Sequence, residues 1–305
     1  MAFMASTSFV SYNYRKETKF IGIMRDHMEY TANIAGQTLY GQVWEVEQAK
    51  AALILLHGMG EHSGRYCGAF VETMNKAGFN VLSIDLFGHG LSEGKRGSCP
   101  SYESIYEVID SLIARKEICW PELPFFLFGH SYGGNVLLSY THRTSGPKSP
   151  SPYLGNILSS PMIELGFKPA SWKLFMGNLM YKIYPKWSEK SELDTEAISS
   201  LDAACEAYRQ DPLVHDVVTA GMMVPALKAG QDMLSESYSY GVPTFMYHGD
   251  ADRLTSYEAS KKFADAHSDR VTFLSVENGY HEIHQDAMAQ DVLASVIDWM
   301  KSKLN

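Results

Sequence analysis

From residue 37 onward, short apolar runs alternate with longer stretches of helical period. Residues 37–46 (QTLYGQVWEV) partly alternate apolar and polar positions, the pattern of a strand with one solvated face. Residues 51–56 (AALILL) are apolar without interruption, as expected of a strand buried on both faces. Residues 80–86, 124–128, 154–159, 242–248 and 271–276 read as further strands. Residues 66–77, 101–118, 131–142, 256–267 and 285–304 read as helices. This alternation predicts an α/β chain whose mostly parallel sheet is covered on both faces.

One region breaks the rhythm. Residues 161–239 show helical pattern and no strand. Within it Trp172, Phe175, Met176, Leu179, Met180, Ile183 and Tyr184 recur at three- and four-residue steps, with Lys173, Asn178 and Lys182 on the opposite side. Such an apolar face packs against the main domain or lids an apolar pocket, and one helix can do both. The region is read as a helical cap. That leaves 26–160 and 240–305 as the core and 1–25 as an N-terminal extension. Residues 145–152 (SGPKSPSP) read as an exposed loop.

Composition narrows the field. A chain of 305 residues with 45% hydrophobic and 20% charged residues can bury a sizeable core without disulfides. The formal net charge of −9 argues against nucleic acid as a partner and gives no help in docking on anionic lipid. The four cysteines, Cys67, Cys99, Cys119 and Cys205, have neither C-x-x-C nor zinc spacing and read as reduced thiols. The first residues, MAFMASTSFVSYNYRK, do not read as a signal peptide, and no stretch approaches the ~20 apolar residues of a transmembrane helix. The expectation is a cytoplasmic protein, with transient membrane-surface contact through the cap left open.

The chemistry centres on Gly129-His130-Ser131-Tyr132-Gly133, a G-x-S-x-G between a predicted strand and a predicted helix. That context is what the motif requires: a sharp corner lifts the serine above the sheet at a helix N-terminus, and flanking side chains would clash. A serine hydroxyl needs a base. His281 and His284 follow the last strand; His281 is nearer to it and is read as the base, with His284 the alternative. The acid should follow the preceding strand, where Asp250 and Asp252 compete. Asp252 is the better-placed loop position, while Asp250 suits holding the turn. Oxyanion donors are expected from the N–H of Tyr132 and, after strand 51–56, the N–H of Met59.

Six segments together resemble the monoacylglycerol lipase group of the α/β-hydrolases, which overlaps with lysophospholipases. They are HGMGEHSGRY (57–66), DLFGHGLSEG (85–94), FGHSYGG (128–134), DPLV (211–214), HGDADRL (248–254) and GYHEIH (279–284). The resemblance runs from about residue 30 to the C-terminus. It implies the α/β-hydrolase fold, with an eight-stranded core sheet and a helical cap, and a serine hydrolase of lipid esters that needs no cofactor and no metal. It also implies a polar end to a greasy tunnel, holding a glycerol head group; the matching positions are Glu61, Arg65, Tyr208 and His284. The bland alternative is that Glu61 and Arg65 form a structural ion pair. Rival functions are a lysophospholipase or general carboxylesterase, a proline-type aminopeptidase using cap acids among Glu189, Glu192, Asp194, Glu196 and Glu206, and a ligand-binding protein that keeps the fold.

Overall fold

The computed structural model describes residues 13–16, 26–144, 151–191, 193–235 and 237–304. In chain order the strands are β1 (Asn13–Lys16), β2 (Asp26–Ile34), β3 (Gln37–Glu45), β4 (Ala51–Leu56), β5 (Phe79–Ile84), β6 (Phe125–His130), β7 (Asn156–Ser159), β8 (Ser188–Lys190), β9 (Val217–Thr219), β10 (Thr244–Gly249) and β11 (Val271–Val276). The α-helices are α1 (Ala69–Lys76), α2 (Tyr102–Cys119), α3 (Tyr132–Thr144), α4 (Ser171–Ile183), α5 (Asp202–Gln210), α6 (Ala220–Met233), α7 (Tyr257–Ala266) and α8 (Ala289–Ser302).

The main sheet runs β1-β2-β3-β5-β4-β6-β7-β10-β11. It holds the eight expected strands, with β1 added at the edge. From β5 to β11 all neighbours are parallel, and β1, β2 and β3 pair antiparallel. The apolar runs behave as their pattern demands. In β4, Ala52, Ile54 and Leu56 face one core with α2, α3, α6 and α7. Ala51, Leu53 and Leu55 face the other with α1 and α8. Strand β4 leads to β5 on one side, and the chain then crosses to β6 on the other. The order therefore reverses at β4, and a crevice opens beyond the carboxyl ends of β4 and β6, where ligands bind in open α/β sheets.

Two expectations need correcting. Strand β2 escaped the pattern reading, although its Tyr30, Ala32 and Ile34 alternate inward. The region between β7 and β10 is not free of strand: β8 and β9 form an antiparallel pair beside α4, α5 and α6. Three-residue strands carry too few side chains for a period of two to register. Residues 145–150 of the expected loop, residues 1–12 and 17–25 of the expected extension, and Glu192 lie outside the described residues.

Candidate active site

Strand β6 ends at His130 and α3 begins at Tyr132, so Ser131 alone makes the corner. Its φ is +52°, in the left-handed region that costs a non-glycine residue about 1–3 kcal/mol. Hydrogen bonds hold it there. Its N–H donates to the Ser159 carbonyl (2.9 Å), and its own carbonyl accepts from Asn135 N (3.1 Å) and Met162 N (2.9 Å). The flanking glycines are required by close approach. A Cβ on Gly129 would sit 2.6 Å from the Gly133 carbonyl oxygen, and one on Gly133 would sit 2.4 Å from that of Leu56.

His281 and Asp252 come from the loops after β11 and β10. His281 Nδ1 lies 2.7 Å from Asp252 Oδ2. Both side chains are buried. Burial alone would lower the imidazolium's pKa, but the charge and hydrogen bond of Asp252, with Glu282 and Glu61 nearby, raise it above the ordinary value. Burial opposes ionisation of Asp252, yet His281 and His248 hold it well below the usual carboxylate range. Asp250 instead accepts the Asn278 N–H at the neighbouring turn (2.7 Å). His284 takes a different environment. It stacks on Tyr66 at 4.6 Å, and burial brings its pKa down to about 4.

The loop after β4 meets this corner. A Cβ on Gly58 would lie 3.2 Å from Ser131 Cβ. His57 fixes the loop: Nδ1–H donates to the Gly58 carbonyl (2.7 Å), and Nε2 accepts the Leu86 N–H (2.9 Å). Tyr132 is the first residue of α3, so its N–H has no partner within the helix. Next to the loop is a charge cluster. Glu61 Oε1 accepts from Gly58 N (2.6 Å) and Tyr66 OH (2.8 Å), and Oε2 accepts from Arg65 (3.2 Å). Arg65 makes a two-pronged bond to Glu282, at 2.5 and 2.8 Å, and its guanidinium lies 4.5 Å over the Tyr208 ring. Burial would lower the Arg65 pKa, but these two carboxylates outweigh it and keep the guanidinium charged.

Ser131, His281, Met59, Glu61, Tyr208 and Glu282 line one cavity of about 840 Å³, while Arg65 and His284 sit behind its wall. Away from this polar end the walls are largely apolar, from Met162, Leu193, Ile198, Val218, Met223 and Leu227 among others. Helix α4 closes it, but not with the face its pattern suggests. Lys173, Leu174, Gly177, Asn178, Tyr181 and Lys182 turn to the cavity. Trp172, Phe175 and Ile183 are 62%, 67% and 68% exposed.

The family profile Hydrolase_4, described as serine aminopeptidase S33, matches residues 47–288. The chain belongs to the Hydrolase_4 family. It is 28% identical over 276 residues to the monoacylglycerol lipase of Mycolicibacterium smegmatis, covering 90% of this chain and 96% of that one. An abhydrolase domain-containing protein of Dictyostelium discoideum is 31% identical over 271 residues, which cover 88% of this chain but only 28% of the larger protein. The crystal structure of Paleococcus ferrophilus monoacylglycerol lipase superposes with a TM-score of 0.76 at 30% identity, over 87% of this chain and 99% of that one.

The sequence reading of this Hydrolase_4 protein placed at the site five residues that line the cavity, Ser131, His281, Met59, Glu61 and Tyr208. It missed Glu282, adjacent to His281, and His248, whose Nε2 lies 3.1 Å from Asp252 Oδ2. A carboxylate next to the expected base was the visible signal for Glu282. Its partner Arg65 is 217 residues away, so the pairing exists only in the fold. His248 opens the HGDADRL segment, but nothing in that segment marks it as a partner of Asp252.

Proposed function

We propose that this protein is a serine hydrolase of lipid carboxylic esters, with monoacylglycerol as substrate and free fatty acid and glycerol as products. The observation that carries the reading is a serine held at φ +52° on the wall of a mostly apolar cavity that also exposes a carboxylate-bound histidine. The names of the monoacylglycerol lipases it resembles support the choice of substrate.

In this mechanism Ser131 Oγ attacks the ester carbonyl while His281 Nε2 takes its proton. Asp252 orients the imidazole and stabilises the imidazolium as it forms. The N–H groups of Met59 and Tyr132 hold the oxyanion. His281 then protonates the departing alcohol, leaving an acyl group on Ser131. Water, deprotonated by the same histidine, attacks the acyl-enzyme and releases the acid.

Charge at the polar end favours a neutral alcohol. Glu61 and Glu282 flank a single Arg65, so the cluster offers acceptors for glycerol hydroxyls, with the Tyr208 hydroxyl beside them. The phosphate of a lysophospholipid would meet two carboxylates whose one cation is already paired. The aminopeptidase reading suggested by the family's description finds little support. Asp194 pairs with Arg253, and Glu196 and Glu206 pair with Arg209, all on exposed surface. Of the cap acids considered, Glu189 lines the cavity, in the company of five lysines. The exposed apolar side of α4 supports contact with a lipid surface during substrate entry; among the described residues no helix is long and apolar enough to cross a membrane.

A hydrolysis screen across monoacylglycerols, lysophospholipids, short aryl esters and proline anilides tests the reading. Monoacylglycerols should give the highest kcat/KM; preference for a lysophospholipid or for proline anilide would refute the substrate class.

A further inference from the structure

Asp252 does not serve His281 alone. His248, near the end of β10, is fully buried, and its Nε2 lies 3.1 Å from the same Oδ2 that meets His281. Its Nδ1 lies 2.8 Å from Oγ of Ser260, a buried residue of α7. The protons in this chain follow from chemistry. An ionised carboxylate only accepts, so His248 Nε2 carries the hydrogen and Nδ1 accepts the Ser260 hydroxyl proton. Thr255 Oγ1 lies 2.9 Å from Oδ2, and Oδ1 accepts the N–H groups of Leu254 (2.7 Å) and Thr255 (3.1 Å).

We infer that His248, fixed by Ser260, is a positioning residue for the reaction at Ser131: it holds the Asp252 carboxylate against His281 and sets how tightly that imidazole binds its proton. The inference rests on the Ser131 reading above. Its physical basis is competition at one oxygen. Three donors converge on Oδ2, so each withdraws charge the others would feel. Charged and titratable groups around the pair are few. His281 faces Asp252, Glu282 and Glu61, with the His130 ring 4.7 Å away and His284 beyond it. Besides Asp252, His248 meets Ser260 and the Tyr257 ring of α7, Thr255, and Ser275 across the β10–β11 register. His248 does not line the cavity, so it acts through Asp252 and not on substrate.

The test compares His248→Phe, which keeps a ring and removes the donor, with His248→Gln, whose amide N–H restores one. The readouts are the pH profile of kcat/KM on a soluble aryl ester and the rate of fluorophosphonate labelling at Ser131. His248→Phe should lower kcat about tenfold, the scale of one hydrogen bond to a charged group, with KM held within about twofold. Oδ2 then concentrates its charge on His281, so the acid limb should move to higher pH by about half a unit. His248→Gln should recover most of kcat and return the limb. Lower thermal stability with an unmoved limb would mean packing alone and would overturn the inference. If His248→Phe does not fold, Ser260→Ala decides, since freeing Nδ1 should shift the limb in the same direction. An unmoved limb with unchanged kcat in a folded variant overturns the inference. So does a His248→Gln variant as impaired as His248→Phe. Absence of labelling at Ser131 in the unsubstituted protein would instead overturn the serine reading itself.

Discussion

The outward face of α4 permits a worked prediction. Phe175 and Ile183 are about two-thirds exposed, and neither lines the cavity. Fully burying such a side chain stabilises by about 1.5–3 kcal/mol, so a lipid surface that covers the exposed part gains about 1–2 kcal/mol from each. Replacing both with serine should therefore remove about 2–4 kcal/mol of binding, which weakens partition onto vesicles by roughly 30-fold or more. The assay is co-sedimentation with phosphatidylcholine vesicles, run beside two activity measurements. Hydrolysis of monoacylglycerol held in those vesicles should fall with binding. Hydrolysis of a short soluble aryl ester should stay within about twofold, because the substituted side chains face away from Ser131. Lys168, Lys182, Lys190 and Lys228 are exposed at the cavity rim, so adding phosphatidylserine should strengthen binding despite the net charge of −9. Unchanged vesicle binding of the double variant, or equal loss of both activities, would refute the assignment of this face to a lipid surface.

Three further outcomes follow from the corner and the base. Gly133→Ala places a methyl 2.4 Å from the Leu56 carbonyl oxygen, where the obstacle is backbone; it should cost at least about 2 kcal/mol in chemical denaturation and abolish hydrolysis, and a stable, active variant would refute the packing argument. His281 must be neutral to act as base, and its pKa is raised, so kcat/KM should fall with decreasing pH through a limb above the ordinary 6.5. The same shift has the opposite sign for folding: protonated His281 contributes stability that is full below 6.5 and lost as pH rises through the folded value, a trend that thermal melts of the unsubstituted protein and His281→Ala should separate.

How much of this was legible in the sequence depended on how local each cause was. The runs AALILL and FFLFGH state their double-sided burial in their own letters, and G-x-S-x-G between strand and helix states the corner. The alternation of Tyr30, Ala32 and Ile34 with Glu29, Thr31 and Asn33 was readable but weak, because Ala32 marks an apolar face only faintly. The direction of α4 was not readable. Periodicity reveals that a helix has an apolar face, and says nothing of whether protein or lipid covers it. Glu282 gripping Arg65, and Ser260 steering His248 toward Asp252, unite residues from separate strands and helices; their types were plain, and their proximity is a product of the sheet order.

The proposed hydrolysis turns on Ser131 as the nucleophile. The direct measurement is intact-mass and peptide mass spectrometry after reaction with a fluorophosphonate probe, with Ser131→Ala as the companion. One adduct on Ser131 is expected, with loss of ester hydrolysis in step with labelling, and neither labelling nor hydrolysis in Ser131→Ala. An adduct at another residue, or a Ser131→Ala variant that hydrolyses esters at the original rate, would contradict it.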